Sequence, residues 1–217
     1  MKRRLLIFTM ICLLTGLVSP AIVGAAQVEE PSVKNICISP AVFKLASEMR
    51  KLWIDHVVWT RNYIVSAVEG LQDQKPVLAR LLKNQQDIGD AIKPYYGEAA
   101  GNKLAELLRE HILIAGKIVD AAKSGQQAEV EKLNKEWYRN ADDIIQFLTR
   151  ANPYWTVKEL QPIFYHHLQL VTDAVTARIK KDWDADIRAF DEGQKHILVL
   201  ADVLSKGIIR QFPDKFK

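Results

Sequence analysis

Residues 104–123 read LAELLREHILIAGKIVDAAK, and Leu104, Leu107, His111, Ala115, Ile118 and Ala122 recur at steps of three or four. That spacing places all six on one face of an α-helix. The segment lies between Pro94-Tyr-Tyr-Gly97 and Ser124-Gly125, both strong helix breakers, so it reads as a whole helix from about Glu98 to Lys123. One residue on its apolar face, His111, is polar, and that pattern recurs along the chain.

Working outward, Ser39-Pro40 starts a helix, with Ser as N-cap and Pro at the first helical position. It runs to about Glu69 with Leu45, Met49, Leu52, His56, Thr60, Tyr63 and Ala67 on one face. After Gly70 and Pro76 a second helix reaches about Lys93. A fourth spans roughly Gln127 to Arg150, where Val130, Leu133, Trp137, Asn140, Ile144 and Phe147 form the stripe. Asn152-Pro153 breaks the chain, and Thr156-Val-Lys-Glu159 is a capping box that opens the fifth. That helix carries Leu160, Ile163, His167, Val171 and Ala174. A turn near 180–182, with Asp182 as N-cap, separates it from a sixth helix that ends before Pro213.

No segment alternates apolar and polar residues over strand length. The expectation is therefore all-α: an up-and-down bundle of about six helices, each roughly 30–42 Å long at 1.5 Å per residue. Asn84-Gln-Gln-Asp87-Ile88 returns 56 residues later as Asn140-Ala-Asp-Asp143-Ile144, which suggests three repeated helical hairpins.

His56, Asn84, His111, Asn140, His167 and His196 follow one another at intervals of 28, 27, 29, 27 and 29 residues. In antiparallel helices of that length they lie at similar heights and form one polar layer inside an apolar bundle. Buried polar groups need partners, so such a layer is either a hydrogen-bond network or a binding site. On the binding reading, His56, His111 and His167 ligate a transition metal or small ligand, with Asp87 and Asp143 as further ligands or as acceptors orienting the rings. On the other, the layer fixes helix register and the protein is a cell-envelope interaction protein, meeting its partner through aromatic residues at the turns.

Other chemistries lack their motifs. A ferritin-like di-iron site needs two Glu-x-x-His motifs, and the chain has none. The Glu192–His196 pair is a lone four-residue spacing. His-Glu-x-x-His, Cys-x-x-Cys-His, Gly-x-Ser-x-Gly and the Gly-x-x-x-x-Gly-Lys phosphate loop are all missing from the sequence. His166 and His167 point about 100° apart around a helix, so at most one faces the core. These readings favour a non-enzymatic protein.

The start of the chain reads as an export signal. Met1-Lys2-Arg3-Arg4 precedes an uncharged stretch from Leu5 to Gln27, with small residues at Val23-Gly24-Ala25-Ala26. Residues 1–26 are expected to be a cleaved leader, 27–38 an extended segment and 39–217 a single helical domain. An uncleaved membrane anchor is the alternative for the leader. With three of the 30 basic residues gone, against 26 acidic ones, the balance falls from +4 to about +1. This gives no electrostatic case for nucleic acid or anionic lipid. After cleavage Cys37 is the only cysteine and has no intrachain partner, so it either pairs between chains or packs as a free thiol.

LWIDHVVWTRNYIVSAV (52–68), NQQDIGDAIKPYYGEAAGNKLAELLREHILIAGKIV (84–119) and ADVLSKGIIRQFPDKF (201–216) resemble a group of small exported helical proteins of Bacillus-type bacteria. DHVVWTR and KPYYGEAAG are the most specific strings. The resemblance covers the chain from about Ser39 onward. It implies export to the cell envelope or medium and an all-helical fold, and it assigns no activity.

Overall fold

The computed structural model describes residues 38–217, so the expected leader and Cys37 lie outside the described residues. Five α-helices follow one another: α1 (Pro40–Glu69), α2 (Gln74–Lys123), α3 (Gln127–Ala151), α4 (Val157–Lys180) and α5 (Trp183–Gln211). A short 3₁₀ turn, Pro213–Phe216, ends the chain. No strand occurs among the described residues.

The helix ends follow from local chemistry. Ser39 Oγ accepts the Val42 N–H at 3.2 Å and donates to the Phe216 carbonyl at 2.7 Å, tying the first helix to the last turn. Gly70 closes α1 with a left-handed φ of 69°. Thr156 Oγ1 accepts from Glu159 N–H at 3.2 Å, and Asp182 Oδ1 accepts from Ala185 N–H at 3.0 Å. Lys181, at φ 60°, makes the break between α4 and α5.

The sequence suggests six helices where the structure has five elements, because the second and third expected helices join as α2. Gly97 sits within it at φ 82° and ψ 171°, a conformation open essentially to glycine alone. The two arms double back there. A Cβ built on Gly89 would lie 2.6 Å from the Gly101 carbonyl oxygen and 2.8 Å from Ala105 Cβ. In a straight helix residues twelve apart would be about 18 Å apart. Glycines at 89 and 101 let the two backbones touch.

Along the chain each helix packs on the next, and α5 packs back on α1 to close the bundle. Ile144, Leu160, Leu168, Ile197, Ala201 and Ile208 are completely buried at its centre. At one end Tyr95 stacks on Phe216, and Tyr96 packs between Trp155 and Phe212. Tyr96 also donates to Gln211 Oε1 and accepts from Asn152 Nδ2, both at 2.8 Å. Burial pushes its hydroxyl up to about 12. These turn aromatics therefore pack inward. No described helix is long and apolar enough to cross a membrane.

The close approach of the α2 arms is testable. Gly89→Ala is expected to lower the unfolding free energy by about 1–3 kcal/mol through overpacking, read from the urea midpoint. An unchanged midpoint would mean that the arms do not meet at that residue.

Candidate binding site: a histidine layer in the core

Each of the three inner histidines sits four residues after a backbone carbonyl that is bonded by a side chain from another helical segment. Asn84 Nδ2 donates to Leu52 O at 2.9 Å, Asn140 Nδ2 to Leu107 O at 3.2 Å, and His196 Nε2 to Ile163 O at 2.8 Å. Within an α-helix those carbonyls already accept the amide N–H of His56, His111 and His167, so the side chain takes the second lone pair. The periodic polar residues are thus spent partly on neighbouring backbone, a partner invisible to a search for side-chain pairs.

The amide at 140 fixes more than register. Because its nitrogen faces Leu107 O, its Oδ1 faces the histidine and accepts from His111 Nδ1 at 2.8 Å. In a neutral ring this leaves Nε2 of His111 as a bare lone pair. The first unit is more open: His56 Nδ1 and Asn84 Oδ1 are both buried without a hydrogen-bond partner. Asn84 is nonetheless near enough to favour the protonated form of His56.

His56, His111 and His167 come together. The His167 ring centroid lies 5.7 Å from that of His56 and 6.4 Å from that of His111. Trp53 packs edge-on against His56 at 5.8 Å, and Trp137 lies against His111 at 5.2 Å. Burial among these groups pushes His56 and His111 down to about 4 and His167 well below its ordinary value, with mutual repulsion adding for His56 and His167. At neutral pH the layer therefore holds three uncharged imidazoles.

Between them is a cavity of about 20 Å³, lined by His56, Thr60, Tyr63, His111, Trp137 and His167 among others. A single water fits a space above about 10–15 Å³, so an organic ligand has no room there. Among the described residues no three His, Cys, Asp or Glu side chains are gathered closely enough to hold a metal ion as they stand.

Asp87 and Asp143 do not join the layer. Asp87 pairs with Lys83 one turn earlier, and Asp143 lies 3.4 Å from Arg139, both partly open to solvent. At three residues beyond Asn84 and Asn140 each carboxylate is turned by about 60° off the stripe, enough to reach the surface. The Asn-x-x-Asp spacing overstates how closely the two side chains share a face.

A buried charge cluster is not apparent in the sequence. Asp186, 1% exposed, receives Arg61 from α1 through both guanidinium nitrogens, the Nη2 contact at 2.6 Å, and Arg178 from α4 at 3.2 Å. Arg178 also lies 3.4 Å from Glu69. Asp186 reads as an ordinary first-turn helix acid, and only the packing of three helices buries it. Two cations and two anions balance, so the cluster joins α1, α4 and α5 without leaving an unpaired charge.

Comparison with models of known protein families, with curated proteins and with solved structures returns no match. The chemistry of the layer therefore rests on its own geometry.

Two outcomes follow for the metal-free chain. Asn140→Ala strands His111 Nδ1 and is expected to cost about 1–3 kcal/mol in chemical denaturation. Acid should also weaken the fold. An unfolded chain binds protons on His56 and His111 near pH 6.5, whereas the folded chain holds both neutral to about pH 4. Their contribution is complete above pH 6.5 and is lost as pH falls toward 4, by about 3 kcal/mol per ring. Urea titrations at stepped pH check this, and stability flat from pH 7 to 4.5 would contradict it.

Proposed function

We propose that the protein is an exported, non-enzymatic helical bundle that holds one transition-metal ion, or another guest of water size, between His56, His111 and His167. The observation that carries the reading is the convergence of three buried, uncharged imidazoles on one cavity, with Nε2 of His111 left as a free lone pair. Neutral imidazole is the ligating form, and a ring that donates its other nitrogen to a fixed acceptor is held in the orientation a metal needs. Zinc, copper, nickel and iron all suit imidazole.

Rings sharing one ion at bonds of about 2.0–2.1 Å have centroids roughly 5–5.5 Å apart. The observed 5.7 and 6.4 Å call for a small inward shift on binding. Asn140 is the orienting group for His111, the place first expected for Asp143, while Asn84 bonds the Leu52 carbonyl and leaves His56 Nδ1 without a partner. The three side-chain-to-carbonyl bonds also support reading the bundle as three helical hairpins: α1 with the first arm of α2, the second arm with α3, and α4 with α5. The basic, apolar leader and the resemblance to exported helical proteins support the extracytoplasmic assignment.

A second reading has its own observation. The amides are satisfied by backbone carbonyls, and no three ligating side chains are closed on a point. On that reading the layer locks register, and the protein acts through its surface on an envelope partner.

Metal titration separates the two. The full chain, exported and recovered without affinity tag or chelator, is expected to bind Co²⁺ with the visible absorption of a low-coordinate site. His111→Ala should abolish that absorption, and Asn140→Leu should weaken binding by about 10–100-fold. A well-folded chain that takes up neither Co²⁺ nor Zn²⁺ in the core would leave the layer as architecture.

A further inference from the structure

The consecutive histidines His166 and His167 serve different faces of α4. His167 enters the layer, while His166 is exposed and turned toward α5. There its ring meets that of His196, with centroids 4.6 Å apart and planes at 87°. We propose that His166 and His196 form a second, surface metal site for a divalent late first-row ion such as Cu²⁺, with water completing the coordination.

The case begins with the difference between the three units. At the positions that capture the carbonyl, the first two carry Asn84 and Asn140, and the third carries His196. An amide suffices for the carbonyl bond, so the bond alone does not call for an imidazole. A histidine keeps the bond and adds a ligand. Since Ile163 O accepts from Nε2, a neutral His196 presents Nδ1 as a lone pair on a half-buried, fixed ring. A backbone carbonyl holding the far nitrogen is a recurrent support of metal-bound histidine.

Distance and surroundings agree. The observed 4.6 Å between centroids is shorter than the roughly 5–5.5 Å of rings on a tetrahedral ion and suits the roughly 90° angle of a tetragonal Cu²⁺ site, where it would be about 4.5 Å. His166 is exposed at the surface, while His196 is held by its bond to Ile163 O. Nearby, Glu192 is bonded to Lys195 at 2.7 Å, so the two charges cancel beside the site. A two-imidazole site favours Cu²⁺ over Zn²⁺ and Ni²⁺ by the usual affinity order of divalent ions.

Neither residue is among the three proposed core ligands, so the two assignments stand or fall separately. Cu²⁺ is titrated into the full chain, recovered without affinity tag and with Cys37 alkylated, and followed by electron paramagnetic resonance. The native signal is expected to show nitrogen couplings from two imidazoles. His166→Ala and His196→Gln should each weaken this site at least tenfold with thermal unfolding unchanged, since the Gln Nε2 reaches about as far as the imidazole Nε2 and keeps the bond to Ile163 O. His111→Ala should leave the signal intact. Full Cu²⁺ uptake at this site in either His166→Ala or His196→Gln would overturn the proposal.

Discussion

The bundle depends on a bond that no residue pairing in the sequence announces: a polar side chain on one helical segment donating to a carbonyl in the segment before it. It occurs at Leu52, Leu107 and Ile163, each one turn before an inner histidine. Apolar stripes alone hold helices together with little preference for height, because Leu, Ile and Val pack almost as well after sliding by a turn. A donor buried against one carbonyl has no substitute in the core, so a slide would leave it unsatisfied at about 1–3 kcal/mol. Three such bonds set the height of the helices, and they bring three imidazoles to the same level.

That arrangement gives the layer its chemistry. The amide at 140 is oriented by a carbonyl and in turn orients a ring, so the tautomer of His111 follows from backbone geometry. Burial keeps the rings neutral, and the tryptophans at 53 and 137 hold two of them from behind. What results is a small set of lone pairs in an apolar room with space for one water-sized guest. His196 performs the same structural task beside His166, where α4 meets α5. The buried ion cluster at Asp186 is separate and joins α1 to the α4–α5 pair by charge.

Much of this was legible before the structure. Helix-period stripes and chain breakers made the all-helical class legible, and Ser39, Gly70, Thr156 and Asp182 marked helix ends because caps act locally. The near-constant interval between His56 and His196 placed the layer, since antiparallel helices of equal length return polar residues to one height. Three features were hidden. Asp87 and Asp143 share a helix side with the asparagines but not the core, a difference of one side-chain angle. How closely the two arms of α2 meet depends on Gly89 and Gly101, whose contact a sequence does not state. Asp186 is buried between α4, just before it, and α1, whose Arg61 is 125 residues away in the chain.

Tautomer state tests the account most directly. Long-range ¹H–¹⁵N correlation on histidine-labelled, metal-free protein at neutral pH reports which ring nitrogen carries the proton. The account predicts an uncharged His111 with its proton on Nδ1, and an Nε2 resonance that shifts when Zn²⁺ is added. A His111 that is charged, or protonated at Nε2 with no response to metal, would contradict it.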